Sequence, residues 1–131
     1  MKPIHSLRIA ALVSAALIPG SLTSAALVSP ALAGDADHGK ALYDLYCTQC
    51  HGTGGKGDGV NAPELDVKPR NHTDRAEMSA RSDADLVKAI KHGGQAVNKS
   101  ILMPSWSGNM TDGEIDDVVA YLRRLCCQAA Q

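Results

Sequence analysis

Residues 47–51 read CTQCH, and this short stretch holds two of the four cysteines and one of the five histidines of the 131-residue chain. Two thiols separated by two residues and followed by an imidazole suit three kinds of site: covalent attachment of haem, a zinc site, or a redox-active CxxC centre. At these residue frequencies, CxxCH is expected by chance roughly 0.005 times in such a chain. The motif therefore calls for a chemical explanation.

Covalent haem attachment accounts for every residue of the motif. Two thioether bonds need thiols spaced to reach the vinyl groups on one edge of a porphyrin, and the next residue then presents a ring nitrogen to the iron. We therefore predict one haem c, bound covalently through Cys47 and Cys50, with His51 as an iron ligand.

The two alternative sites fit the sequence less well. A zinc site needs a second ligand pair, and the remaining thiols, Cys126 and Cys127, are adjacent, which suits tetrahedral coordination poorly. A thioredoxin-like centre needs a βαβ unit around the CxxC, and the flanking sequence has helical periodicity and loop composition instead.

The first 33 residues have the organisation of a secretory signal peptide. Lys2 and Arg8 precede or flank a short apolar run, IAALVSAALI (9–18), and Ala31-Leu32-Ala33 fits a signal-peptidase site. We predict cleavage of residues 1–33 and export to the periplasm. The alternative is a retained membrane anchor, but Pro19-Gly20 interrupts the run before it reaches the roughly 20 apolar residues of a spanning helix.

The remaining segment, 34–131, is predicted to be one domain without stable membrane insertion. Removal of residues 1–33 changes the formal charge from −1 to −3, and no basic run remains, so a nucleic-acid partner is not expected. The chain has no Phe, one Trp and three Tyr, which is little aromatic mass for a small core. A buried macrocycle would supply what the side chains lack.

Helical periodicity organises this domain. GKALYDLYCTQC (39–50) carries Tyr43, Cys47 and Cys50 on one face, so a first helix runs into the motif. SDAD (82–85) resembles a capping box that opens a short middle helix, which the glycines at 93–94 end.

The closing helix has the clearest signals. TDGE (111–114) is a capping box, arginines occupy the last turn, and one apolar stripe follows: Ile115, Val118, Val119, Leu122 and Leu125. The stretches 52–72 and 93–110 are rich in Gly, Pro, Asn and Lys and show no strand alternation. We predict an all-α fold of three to four helices, with long loops wrapped around one haem.

The second axial ligand decides what the iron can do. An open sixth position favours gas binding or peroxidase chemistry, whereas a strong ligand favours electron transfer. Met103 lies in ILMPSW (101–106), where Pro104 stiffens the backbone and Trp106 is available to pack against a ring. The other candidates have weaker settings: Met78, Met110, His38, His72 and His92. We expect the three histidines to be exposed polar residues.

GTGGKG (52–57) matches the pattern G-x-G-x-x-G without the strand before it and the helix after it that a dinucleotide site requires. We interpret it as a turn whose glycines let the backbone pass close to a ligand edge.

Taken together, these motifs resemble the class I c-type cytochromes, and the resemblance covers about residues 35–125. GKALYDLYCTQCHG is similar to the first helix of that family, with Gly39 where it crosses the last helix. Tyr121, in VVAYLRRL, corresponds to the aromatic on the other side of the crossing. The resemblance implies a small cytochrome c fold.

The resemblance also implies roles for individual residues. NAPEL (61–65) is similar to the segment whose proline carbonyl accepts a hydrogen bond from the proximal histidine, which assigns that role to Pro63. ILMPSW is similar to the distal loop, which assigns Met103 as the sixth ligand. Two features depart from the pattern: His72 stands where relatives often carry an aromatic, and Cys126-Cys127 has no counterpart. The latter pair is compatible with a vicinal disulfide, a link to another chain or reactive thiols.

We therefore predict a monomeric periplasmic electron carrier, not an enzyme, that exchanges single electrons with donor and acceptor proteins. Lysines are candidates for a weak docking rim: Lys40, Lys56, Lys68 and Lys99. Two alternatives remain. The chain is an electron-transfer subunit of a larger oxidoreductase, or it is a haem enzyme or gas sensor with a labile sixth ligand, in which His72 or His92 would be the polar distal group.

Overall fold

The computed structural model of the protein describes residues 34–128, so the predicted signal peptide lies outside the described residues. Within that range the chain forms helices and loops and no strand. The α-helices are α1 (Ala36–Tyr46), α2 (Thr48–His51), α3 (Arg75–Ser79), α4 (Asp83–His92) and α5 (Asp112–Cys127), with 3-10 turns at Ala62–Glu64 and Gly94–Val97. The prediction of an all-α fold is confirmed. None of these helices has the length and apolar character needed to cross a membrane.

The three predicted helices are α1, α4 and α5, and both predicted capping boxes form. Ser82 and Asp85 exchange side-chain and backbone hydrogen bonds at the start of α4, and Thr111 and Glu114 do the same at α5. These pairs satisfy backbone N–H groups that a helix start would otherwise leave unpaired. The two shorter helices, α2 and α3, were not predicted.

The crossing of α1 over α5 organises the domain. At Gly39 the helices approach so closely that a Cβ atom would lie 1.9 Å from the backbone oxygen of Asp117. One turn later, the rings of Tyr43 and Tyr121 meet edge to face with centroids 5.2 Å apart. The predicted roles of Gly39 and Tyr121 at this crossing agree with the structure.

The core lies between α5 and the helices packed around it. The apolar stripe of α5 is buried at Ile115, Val118, Val119 and Leu122, whereas Leu125 is only partly buried. On the same helix, Arg123 binds the backbone oxygens of Met78 and Arg81 at 2.7 and 2.5 Å, and its Nε lies 2.7 Å from a carboxylate oxygen of Asp83. This guanidinium fastens α5 to the segment that joins α3 and α4.

Both long loops return to the helices through backbone hydrogen bonds. In the first loop, the N–H of Gly57 donates to the oxygen of His51, and the N–H of His72 donates to the oxygen of Gly55. In the second, the N–H of Gly94 donates to the oxygen of Met103. The N–H of Trp106, also in the second loop, donates to the oxygen of Ile90 in α4.

Candidate functional site

A cavity of about 600 Å³ lies where the two loops meet the helices. Its wall includes Cys47, Cys50 and His51 of the motif and Met103 and Trp106 of the second loop. Most of the remaining wall is apolar, with Leu86 and Ile90 from α4 and Val118 and Leu122 from α5. Five of the six predicted site residues therefore share one cavity, and Pro63 does not line it.

The motif reaches the cavity because α1 ends where the motif starts. The N–H of Cys47 makes the capping bond to the oxygen of Tyr43, and the single-turn α2 then carries the rest of the motif. Cys47 and Cys50 are free thiols. Burial, with a smaller contribution from the nearby Cys50, raises the pKa of the Cys47 thiol to about 12, which shows how thoroughly the fold removes this side chain from water.

His51 is held in a form suited to bind a metal ion. Its Nδ1 lies 3.1 Å from the backbone oxygen of Arg70, and a carbonyl can only accept, so the ring proton is on Nδ1 and the lone pair on Nε2. Burial lowers the pKa of His51, which favours the neutral imidazole.

The prediction that Pro63 accepts this hydrogen bond is wrong. Pro63 lies in an exposed 3-10 turn, and its carbonyl accepts a hydrogen bond from Lys68 at 3.0 Å instead. The loop runs on past this turn, and its later part returns to the motif, so the oxygen of Arg70 takes the position expected for Pro63. No local signal in the sequence marked Arg70 for this role, because its position depends on the path of the loop.

His72 was expected at the surface, but its side chain is buried, with 8% of the residue exposed. Its ring stacks on the ring of His51, with centroids 4.3 Å apart and planes 17° from parallel. Its Nδ1 lies 3.2 Å from the hydroxyl of Tyr43, which also lies 3.3 Å from the oxygen of Gly52. Burial lowers the pKa of His72 to about 3, so the ring is neutral.

The candidates for the second axial ligand differ in whether they line the cavity. Met103 is half-buried on the cavity wall, whereas Met78 and Met110 are buried in the helical core and do not line the cavity. His38 and His92 are exposed and also lie outside it. His72 lines the cavity but belongs to the His51 side of the site.

Trp106 completes the second loop's side of the cavity. Its N–H backbone group donates to the oxygen of Ile90 at the end of α4, which places the residue beside the helices. Its ring packs on the ring of Tyr46, with centroids 5.1 Å apart and planes inclined by 52°. These two contacts hold Trp106 in place for the predicted aromatic contact with a bound ring.

Charged residues of both signs surround the cavity. Two of the four lysines predicted to form a rim line the cavity, Lys68 and Lys99. The other two, Lys40 and Lys56, are absent from its wall, and Lys40 pairs with Asp44 on α1. Arg70 and Arg81 both form ion pairs with Glu77 at the same wall. Val67 and Leu102 add exposed apolar surface, with 50% and 60% of each residue exposed.

Cys126 and Cys127, whose pairing the sequence left open, form a vicinal disulfide at the end of α5. Over residues 34–128, no group of three or more His, Cys, Asp or Glu side chains is arranged to hold a metal ion. The side chains best suited to bind a metal-containing cofactor are those that line the cavity. Its two thiols, imidazole and thioether on an apolar wall are a donor set that fits haem c.

Comparisons with known proteins identify the family of the chain. The family model described as "Cytochrome C oxidase, cbb3-type, subunit III" matches residues 34–122. The chain is 30% identical over 92 residues to the cbb3-type cytochrome c oxidase subunit FixP of Bradyrhizobium diazoefficiens, covering 70% of this chain and 28% of that protein. It is also 30% identical over 92 residues to cytochrome c-554(547) of Halothiobacillus neapolitanus, covering 70% of this chain and 98% of that protein.

A solved structure has the same fold over the matched region. A chain of the Kuenenia stuttgartiensis reducing HAO-like protein complex Kustc0457/Kustc0458 superposes with a TM-score of 0.57 at 28% identity, covering 70% of this chain and 43% of that one. The chain thus spans under a third of FixP and less than half of the Kuenenia chain, but nearly all of the Halothiobacillus protein.

Proposed function

The chain belongs to the class I c-type cytochromes, within the family described as cytochrome c oxidase, cbb3-type, subunit III, and from this premise we propose that it is a periplasmic carrier of single electrons. The proposal assigns it one haem c, attached through Cys47 and Cys50, with His51 and Met103 as axial ligands. The observation that carries it is the meeting of these four side chains on the wall of one apolar cavity.

Each residue has a defined task in this proposal. The thiols of Cys47 and Cys50 fix one edge of the cofactor by thioether bonds, and His51 offers Nε2 because Nδ1 is engaged by the oxygen of Arg70. Met103 supplies a thioether, a soft ligand that favours the reduced iron. The haem, when bound, supplies the one-electron couple between ferric and ferrous iron.

The cavity wall supports the same assignment. Its apolar side chains exclude water and disfavour the extra charge of the ferric state, which acts in the same direction as the methionine ligand. A pair of strong ligands also needs little rearrangement between the two oxidation states, which suits electron transfer better than substrate binding.

Partner proteins would meet the cavity mouth. Exposed Val67 and Leu102 provide a small apolar contact, and Lys68 and Lys99 add positive charge beside it. Small contacts of this kind favour brief complexes, because a carrier must release each partner after transfer. We infer an alternating encounter with a donor and an acceptor at this one mouth.

A matched pair of variants tests the ligand assignment. Met103→Leu and Met110→Leu make the same chemical change, but only Met103 lines the cavity. In ferric protein loaded with haem, Met103→Leu should abolish the absorption band that arises from charge transfer between methionine sulfur and iron, and the reduced variant should bind carbon monoxide readily. Met110→Leu should keep the band. Retention of the band in Met103→Leu would refute the assignment.

Attachment and export are tested on the native protein. Its intact mass should equal that of a chain lacking residues 1–33 plus one haem, and its haem should resist extraction into acidic organic solvent. The double variant Cys47→Ala, Cys50→Ala should lose this resistance, because no thioether bond can then form. A native chain recovered from the periplasmic fraction with its first 33 residues still present would contradict the predicted signal peptide.

The second candidate is a subunit of a larger oxidoreductase. It is favoured by the match to FixP, which is named as a subunit of a cbb3-type oxidase, and by the match to a chain of a multiprotein complex. Gel filtration of the periplasmic extract, followed by the haem absorbance, separates the two functions. A free carrier elutes as a small protein, and a subunit elutes with its complex.

A further inference from the structure

We propose that His72 is a positioning residue for the iron site: it fixes the plane of the His51 ring by stacking on it, and Tyr43 in turn holds His72. The inference rests on the proposed function, because it concerns the axial ligand that the proposed function assigns. It also gives a role to the residue at which this chain departs from the pattern of its relatives.

The hydrogen bond of His51 leaves one rotation of its ring free. The bond from Nδ1 of His51 to the oxygen of Arg70 fixes a direction, but the ring can still turn about that direction. A second ring lying nearly parallel, at a centroid distance of 4.3 Å, removes this freedom, because turning His51 would drive its edge into the face of His72. The hydrogen bond and the stack together define both the position and the plane of the ligand.

His72 acts in this way only if it cannot move itself, and it is held at three points. Its backbone N–H donates to the oxygen of Gly55 at 2.6 Å, and its Nδ1 lies 3.2 Å from the hydroxyl of Tyr43. The third point is steric: a Cβ atom on Gly55 would lie 3.4 Å from the Cβ of His72, so the loop packs directly against it.

Tyr43 connects this arrangement to the main helices. The tyrosine is fully buried, and its ring packs against Tyr121 of α5. Because the oxygen of Gly52 can only accept, the Tyr43 hydroxyl donates there and accepts the Nδ1 proton of His72. The hydroxyl therefore joins His72 to the residue that directly follows His51.

The chemistry explains why an imidazole serves here. A phenylalanine at position 72 would preserve a flat stacking face but leave the Tyr43 hydroxyl with one partner. A leucine would remove both the flat face and the polar contact. Three variants therefore separate the two parts of the arrangement: His72→Leu removes both, His72→Phe removes the hydrogen bond, and Tyr43→Phe removes the same bond from the other side.

The test measures the ligand plane directly. In the ferric protein loaded with haem, the paramagnetic NMR shifts of the haem methyl groups depend on the orientation of the axial imidazole. We expect His72→Leu to change the order and spread of these shifts and to move the reduction potential. His72→Phe and Tyr43→Phe should give smaller changes in the same direction. Met78→Leu, a core substitution away from the cavity, is the control and should lower stability without altering the shifts.

The outcomes distinguish the inference from the proposed function. If His72→Leu lowers the stability as the control does and leaves the methyl shifts and the potential unchanged, His72 is only a packing residue and the inference is overturned. If His72→Leu does not fold, His72→Gln, which also lacks a ring to stack on His51, is measured in its place, and unchanged shifts in it overturn the inference. A native protein without the His/Met absorption spectrum would instead overturn the proposed function.

Discussion

The close approach of α1 and α5 at Gly39 predicts the effect of Gly39→Ala on stability. A Cβ atom at this position would lie 1.9 Å from the backbone oxygen of Asp117, whereas side-chain carbons rarely come within 3.0–3.4 Å of such an atom. The obstacle is backbone, so it cannot rotate aside. One helix must therefore shift by roughly 1.1–1.5 Å relative to the other, which loosens the tightly packed interface that contains Tyr43 and Tyr121.

The magnitude follows from two opposing terms. Alanine is favoured over glycine within a helix by about 1 kcal/mol, but overpacking of a close interface costs about 1–3 kcal/mol and occasionally more. Since the clash is severe, we expect the free energy of unfolding to fall by about 2 kcal/mol. In urea, where a small domain has an m-value of about 1–3 kcal/mol per molar, the midpoint should fall by about 0.7–2 M.

A second glycine provides the control. Gly113 lies in the first turn of α5, and a Cβ atom there would meet nothing within 4 Å. Gly113→Ala should therefore leave stability unchanged or raise it by up to about 1 kcal/mol. Equal stabilities for Gly39→Ala and Gly113→Ala in urea titrations of the haem-loaded protein would refute the close helix crossing.

Three further predictions follow from other contacts. A hydrogen bond to Asp117 raises the pKa of His38. The pair therefore stabilises the fold below the ordinary histidine pKa of about 6.5, and this stabilisation is lost as the pH rises through the higher pKa of the folded protein. His38→Gln should lower the melting temperature at pH 5.5 and have little effect at pH 8.5. Gly55 has φ of +73°, so Gly55→Ala should cost about 1–2 kcal/mol in urea unfolding, and an unchanged midpoint would contradict the positive φ. Arg123→Leu leaves two backbone oxygens without their donor and should lower the free energy of unfolding by about 1–3 kcal/mol in the same assay. An unchanged midpoint would mean that solvent replaces the guanidinium fully.

Much of the fold could be predicted because its signals are local. The capping boxes at Ser82 and Thr111, the apolar stripe of α5 and the glycine stop after α4 each depend on residues within a few positions of one another. The helix α3 escaped prediction because it is a single short turn in a polar stretch. Its cap, the side chain of Asp74 that accepts from the N–H of Glu77, resembles many ordinary turn contacts.

The site was predictable as a set of ligands but not as a set of neighbours. The spacing within CTQCH was enough to propose a role for these five residues, and three of them line the cavity. The partner of His51 depends on where the loop 52–72 turns back, so the resemblance pointed to Pro63 and nothing in the sequence pointed to Arg70. The burial of His72 depends on the same path, since a histidine in a polar stretch looks like a surface residue until the loop is closed.

The crossing of α1 and α5 also dictates an order of events during biogenesis. It joins residues about eighty positions apart, as the hydrogen bond from the N–H of Asp35 to Asp117 illustrates, so it forms only after most of the domain has left the ribosome. Until then the walls around Cys47 are incomplete and its thiol faces solvent, free of the burial that suppresses its ionisation in the finished fold. If the haem is attached as proposed, thioether formation would be chemically easiest on the still open chain, before α1 and α5 close over Cys47.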